Sequence, residues 1–318
     1  MLRYFLKRLG LSLVTVLIVA TVVFFMMRIL PGDAARRILG KGTTEEQLVA
    51  LREQLGLNRP LVVQFWDWIT STLRGDLGQS LQYSSDVGEL LFPAIGYSAR
   101  LAALAFVLIV PISVTGGVVA ALNRGKAIDR VITVGGLSAA VIPEFVWAVT
   151  FVLVFGVTLE WFPVTAFPDD PAAGFLDYVW HLLLPSIALL LVLFGYIARI
   201  ARAGVIEALE SDYMRTAVLK GMTRRAAIWR HVMRNAMLPT IAVIAGQIPY
   251  LVGGLVAVEV VFNYPGFGTV LLTAVGGRDY PMLQAGVLIT SSVIVGFQLL
   301  ADMLFAMLNP RIRTAVAE

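Results

Sequence analysis

The chain has no cysteine and only two histidines, His181 and His231, in 318 residues. Without thiols there are no disulfides and no thiolate metal sites, and redox chemistry says nothing about compartment. Two isolated histidines are too few for a histidine-rich metal or proton-relay site. Charge is also scarce: 14% of residues are charged and 58% hydrophobic, where soluble domains carry roughly a quarter charged residues. That balance describes an integral membrane protein. The net charge of +4 is modest and spread through loops, which argues against a nucleic-acid-binding face and for ordinary membrane topology. A phosphate-cradling loop is missing as well. Gly40-Lys41-Gly42 comes nearest and lacks the hydroxyl residue, so the chain is expected to bind no ATP. No nucleophile–base pair or metal constellation supports a membrane enzyme. No repeat of 20–50 residues is visible, and the first three spans do not resemble the last three.

What the chain does have is long apolar runs. The first, residues 9–27, follows Arg3, Lys7 and Arg8. It is longer than the core of a signal peptide and no small-residue cleavage site follows, so it is expected to remain as a first helix. At roughly 1.5 Å per residue it can cross about 30 Å of hydrocarbon. Five further spans are expected near 97–122, 131–159, 182–198, 239–261 and 283–308. Prolines 111, 143, 185 and 249 lie inside four of them and predict a bundle that bends. With the amino end inside, the cytoplasmic pieces (1–8, 123–130, 199–238 and the tail) hold 3, 3, 8 and 2 basic residues, or 16 of the 25. The short outer loops, 160–181 and 263–282, hold only Arg278. Both termini are therefore expected in the cytoplasm.

Residues 33–96 are polar enough to sit in water. Thr43-Thr44-Glu45-Glu46 has the form of a capping box opening a short helix that ends at Gly56. Pro60 is placed to open a second helix with Val62, Phe65, Trp66, Ile69 and Leu73 on one face. Two such helices would make a small cap on the outer membrane surface.

Arg100, Glu144, Glu259 and Asp302 fall within or at the ends of apolar stretches. A buried charge there is costly unless paired or wetted. Each is a candidate for lining a water-filled substrate path, and Glu144, beside Pro143, most of all. The alternative for each is an interfacial charge or a helix–helix ion pair, with Glu259 and Asp302 expected near outer span ends or in an inter-helix seam.

The longest polar interruption in the second half is 207–239, within a stretch carrying Arg199, Arg202, Arg215, Lys220, Arg224, Arg225, Arg230 and Arg234. Gly221 stands between two helix-forming runs, 206–219 and 224–233, and Thr223 is placed to cap the second. The expected product is a helix-turn-helix projection with an apolar side (Ala217, Met222, Ala226, Ala227, Ile228, Trp229) and a basic rim. It can lie on lipid with Trp229 at the interface, or dock into a groove of a soluble protein. The small residues Ala217 and Gly221 favour docking.

Asp212-Tyr213, Arg215-Thr216-Ala217, Lys220-Gly221, His231 and Arg234-Asn235-Ala236-x-Leu238-Pro239 resemble the "EAA" loop of binding-protein-dependent ABC importer permeases, of the dipeptide, oligopeptide and nickel variety. The resemblance extends over nearly the whole chain. It takes in Arg8-Leu9 to Pro31-Gly32-Asp33, Gly75-Asp76-Leu77-Gly78-x-Ser80, and Glu259-x-x-Phe262-x-x-Pro265-Gly266-x-Gly268. It continues through Arg278-Asp279-Tyr280-Pro281, Asp302 and Asn309-Pro310-Arg311-x-Arg313. Val218-Leu219 stand where the family often has Arg-Ala, and Pro143-Glu144 where Pro-Ser is more usual.

The resemblance implies an all-α membrane subunit with six transmembrane helices and the type I importer fold. Residues 1–30 would be the first helix, 31–93 an extracytoplasmic segment, 94–305 the core with a coupling loop at 205–238, and 306–318 a cytoplasmic tail. It would pair with a second, related permease, sit on two ATPase subunits that bind ATP and Mg, and take substrate from an extracytoplasmic binding protein. Asp212, Tyr213, Arg215, Ala217, Lys220, Gly221, Met222 and Trp229 would belong to the ATPase-docking region. Peptide is the expected cargo, with nickel chelates and glutathione-like compounds as alternatives. A secondary transporter or channel acting alone is the competing class.

Overall fold

The computed structural model describes residues 2–29, 39, 44–54, 56–168, 170 and 172–308. Among them all regular structure is helical, apart from an isolated bridge between Gln79 and Asp86. In chain order the helices are α1 (Leu2–Ile29), α2 (Glu45–Gln54), α3 (Leu61–Leu73), α4 (Val87–Leu122), α5 (Ala127–Val141) and α6 (Glu144–Thr158). They continue with α7 (Phe175–Leu209), α8 (Asp212–Leu219), α9 (Arg224–Ala227), α10 (Met233–Gly246), α11 (Ile248–Val261), α12 (Phe267–Gly277) and α13 (Tyr280–Leu308). Five helical runs among the described residues are long and apolar enough to cross a bilayer, namely α1, α4, α7, α13 and the run 235–252 from α10 into α11, and six if α5 and α6 count as one span. The chain forms two compact units. One is built on Tyr97–Gly268 with the stretch from Phe297 onward, the other on Leu6–Gly96 and Thr269–Gly296.

In the first unit α7 is the central helix, with two-thirds of its apolar stretch buried. Lipid supplies no hydrophobic drive to join helices, so close approach of small residues has to do it. A Cβ on Gly117 of α4 would stand 2.5 Å from the Ala198 carbonyl oxygen, and one on Gly204 of α7 would stand 2.7 Å from that of Ala236 on α10. A Cβ on Gly195 of α7 would run into the Gly136 carbonyl of α5. Three neighbours thus meet α7 backbone to side chain or backbone to backbone. Leu101, Ile109, Leu184, Ile197, Phe262 and Tyr264 fill the core around these contacts.

The expected third span, 131–159, is not one bent helix. It is broken by 98° between Val141 and Glu144. Ile142 and Pro143 are extended (ψ 124° and 147°), the conformation that proline imposes on itself and favours in the residue before it. Trp147 Nε1 donates to the Ala139 carbonyl at 3.0 Å, tying the two halves across the break. The expected fifth span, 239–261, runs from α10 into α11 through a single-residue turn at Gln247, whose backbone stays helical (φ −86°, ψ −10°), just ahead of Pro249, which has no N–H to bond back; 235–252 passes as one span. Pro185, by contrast, lies within continuous α7.

In the second unit α1 carries Phe24, which packs on Phe65 (5.4 Å) and Trp68 (5.7 Å) of α3. Pro60 does open α3, but the packed face is Gln64, Phe65 and Trp68, while Val62, Trp66 and Leu73 of the expected stripe are exposed. Gln64 donates to the carbonyls of Leu57 and Arg59, so the approach to the helix, not a longer apolar stripe, sets its rotation. The expected capping residue Thr43 lies outside the described residues. The capping exchange present is one residue later, between Thr44 and Gln47, whose backbone N–H groups bond to each other's side chains at 3.2 and 3.4 Å. The stretch 263–282, expected as a loop, contains the apolar helix α12.

Candidate coupling loop and intramembrane charges

The polar block begins as the last turns of α7. Expected as one helix from 206 to 219, it breaks at Glu210-Ser211 and restarts as α8. Ser211 is extended and its hydroxyl donates back to the Ala208 carbonyl at 2.6 Å, satisfying an end carbonyl of α7. At the far end of α8 the Gly221 N–H bonds the Val218 carbonyl (2.9 Å) and the Met222 N–H bonds that of Ala217 (3.2 Å). With Gly221 at φ +86° this is a Schellman motif, which only glycine enters without strain. Thr223 then caps α9, its Oγ1 accepting from the Ala226 N–H at 3.3 Å. Both of these local expectations match the structure.

The hairpin rests on its own unit. Met214 and Ala217 of α8 and Ala227 of α9 are buried against Ala121, Val205 and Ala208. Ala217 therefore faces inward, and its small side chain serves packing under α8 rather than the outward surface expected of it. Met222 is half-buried in the same cluster. Turned outward are Asp212, Tyr213, Arg215, Lys220, Gly221 and Trp229, together with Val218 and Leu219. Leu219 is 87% exposed, the highest exposure of any large apolar side chain on this hairpin. Arg215, Lys220, Arg224 and Arg225 have no acidic partner among the described residues. The outer face is thus an apolar patch rimmed with free cations.

An ion pair that sequence reading missed ties the neighbouring turn to α7. Arg202 donates through Nε to Asp129 Oδ1 (2.6 Å) and through Nη2 to Oδ2 (2.8 Å). The Gly125 N–H (2.9 Å) and Thr133 hydroxyl (3.2 Å) complete the shell of this buried carboxylate. Arg124 and Glu210 pair beside it on the surface. A lone acid within a basic loop was the available signal.

The four intramembrane charges part company. Glu259 is fully buried, so it does not line a water-filled path. Ser98 Oγ donates to its Oε1 and accepts from the Phe267 N–H at 2.8 Å. A Cβ on Gly266 would collide with the carboxylate, and one on Gly268 would stand 2.9 Å from Oε2. The glycines after Glu259 are what leave room for it, and the group locks the turn between α11 and the start of α12. Arg100 is exposed, its guanidinium 5.3 Å from the Tyr97 ring centre. Asp302 is half-buried within reach of Gln298 (3.4 Å) and lies toward the carboxyl end of α13. Glu144 is half-buried at the first residue of α6 and lies beside the half-exposed Tyr250 of α11. The break at Pro143 thus lies close to the first turn of α11, where Pro249 and Tyr250 follow the turn at Gln247.

Two motif fragments far apart in sequence also prove to be one cluster. Buried Asp279 accepts from the Ser80 hydroxyl, the Gln82 N–H (3.2 Å) and the Met282 N–H (3.3 Å).

A family model described as the inner membrane component of binding-protein-dependent transport systems matches residues 113–314, and a model of the N-terminal part of such components matches 1–111. A probable peptide ABC transporter permease of Sinorhizobium fredii is 35% identical over 310 residues, covering 98% of this chain and 99% of that one. A glutathione transport system permease of Salmonella typhi is 36% identical over 313 residues, with 98% and 99% covered. A putative peptide transport system permease of Brucella abortus is 35% identical over 311 residues, with 97% and 98% covered.

Proposed function

The chain belongs to the inner membrane components of binding-protein-dependent transport systems, and on that premise we propose that it is the permease subunit of an ATP-driven peptide importer. Relatives named for peptides and for glutathione, itself a tripeptide, point to short peptides as the cargo. The observation that carries the reading is the α8–α9 hairpin. A Schellman turn and a buried cluster hold it on the central helix, and it presents Tyr213, Leu219 and Trp229 within a rim of free cations. Such a surface fits an apolar groove with acidic edges on a soluble ATPase, which binds ATP and Mg in place of this chain.

Residues 94–305 act as the translocating core, paired with a second, related permease, and both termini face the cytoplasm. Closure of two ATPases moves α8 and rocks the core between inward- and outward-open arrangements, a bistable rigid-body switch. The path runs past Glu144 and Tyr250. Here a carboxylate sits at the start of the second half of a broken span, a position that transport sites often use. An extracytoplasmic binding protein delivers the peptide.

Reconstitution of this chain with the second permease, the ATPases and the binding protein should give peptide uptake that requires ATP. Uptake by the purified chain with no ATPase present would assign it instead to the secondary transporters.

A further inference from the structure

A rod held at one point pivots, and a rod held at two points moves with its support. Helix α5 is held on α7 at two levels. Midway along, Gly136 lies against Gly195 so closely that no Cβ fits between them. At its first turn, Asp129 takes both forks of Arg202. The carboxylate is buried, and every other contact it makes, with the Gly125 N–H and the Thr133 hydroxyl, lies on its own loop or helix. Among the described residues, Arg202 alone therefore joins it to α7. Arg202 stands two turns before the end of α7, and α8 begins directly after that end. Buried Ala121, at the close of α4, completes the floor of the cluster under α8. Beyond α5 lies the 98° break and then Glu144.

We propose that the Asp129–Arg202 pair is the strut that carries displacement of the α8 hairpin into α5, and through it to the broken span that bears Glu144. Asp129 and Arg202 are positioning residues: they touch neither substrate nor nucleotide. When α7 is pushed from its cytoplasmic end, the pair obliges α5 to follow instead of turning about the Gly136–Gly195 contact. A bidentate guanidinium–carboxylate contact suits this role because its two parallel bonds fix orientation as well as distance. The Arg124–Glu210 pair beside it is solvent-exposed and held by a single fork, so it contributes little of the constraint. The inference rests on the importer reading.

The absence of cysteine makes a reversible test possible. In the full complex, D129C/R202C is bridged with a reducible bis-methanethiosulfonate spacer, and trialanine uptake per ATP hydrolysed is measured before and after reductant. Wild-type complex is assayed first. If it shows no ATP-dependent uptake with either trialanine or glutathione, the importer reading fails, not the strut. Given a working complex, the bridged variant should keep near wild-type uptake per ATP. Reduction should lower the ratio several-fold while ATP hydrolysis continues, and in the same protein preparation, so that misfolding cannot account for the change. R124C/E210C treated identically should show no dependence on reductant. Equal ratios in bridged and reduced D129C/R202C would overturn the proposal. So would a bridge that abolishes uptake, because the two helices would then have to separate during the cycle. The charge swap D129R/R202D should recover more uptake per ATP than D129N alone; failure to do so in an assembled complex also overturns it.

Discussion

Gly221 separates two reasons for which a glycine can sit in a docking loop, backbone conformation and close approach. A Cβ built there meets nothing within 4 Å, yet φ is +86°. Within this chain the requirement is therefore conformational. Holding an L-residue in the left-handed region costs about 1–2 kcal/mol. In the free permease the exposed turn can relax and shed that strain. In the docked state the turn must present Leu219 on one side and Trp229 on the other in fixed register, so the strain is charged to binding. At 1.4 kcal/mol per factor of ten, Gly221→Ala should weaken association with the ATPase by roughly 5- to 30-fold, with almost no change in the melting temperature of the permease alone. Asparagine enters the left-handed region more readily than alanine. Gly221→Asn should therefore bind between glycine and alanine, although it is the larger residue. A bulky acidic residue should do worst, adding repulsion of any acidic groove edge to the strain. Affinity of the detergent-solubilised permease for the ATPase, read by surface-immobilised binding, gives the order directly. If asparagine binds more weakly than alanine, the partner's surface approaches Gly221 closely and the conformational argument is wrong. If all three bind like the parent, the hairpin is not the docking site.

Features set by short stretches of chain were legible. Gly221, Thr223 and Pro60 do what their local chemistry predicts, because a turn, a cap and a helix start are decided within a few residues. The apolar runs were legible for a similar reason: bilayer thickness sets their length. Where tertiary contacts choose between local options, the reading stopped. Pro143 and Pro185 look alike in an apolar run, yet one breaks its span by 98° and the other sits in continuous α7. The difference is visible only in contacts such as Trp147 to Ala139 across the break. From sequence Glu259 stayed open between a path charge and a charge in an inter-helix seam, because one carboxylate in an apolar run is ambiguous. Its cover, Ser98, lies on another helix, although the glycines seven and nine positions on held a usable clue. Ala217 was assigned to the wrong side. Met214 and Ala217 are three residues apart and so share a face, but nothing in α8 itself says which face the rest of the unit covers. Asp129 and Arg202 are 73 residues apart and belong to no common pattern.

Other perturbations test the packing and the path. Gly195→Ala forces a Cβ into the Gly136 backbone and should cost about 1–3 kcal/mol or more, whereas Gly246→Ala, with open space around it, should be tolerated; thermal unfolding of the solubilised protein compares the two. Ser98→Ala deprives both Glu259 and the Phe267 N–H of a buried partner, a loss of about 1–3 kcal/mol, and equal stability to the parent would mean that the turn is held by other contacts. For the path the useful change is Glu144→Gln, which keeps the size and polarity of the side chain beside Tyr250 while removing the charge. Glu144 is only half-buried and its chain neighbours Val141 and Phe145 are exposed, so the fold does not depend on a charge there, and thermal stability should be unchanged or slightly raised. Any loss must then come from transport itself. Uptake should fall most at low peptide concentration, where a favourable contact along the path raises the chance that a delivered peptide proceeds. Unchanged uptake at every concentration would remove Glu144 from the path and leave it as a polar filler at a helix break.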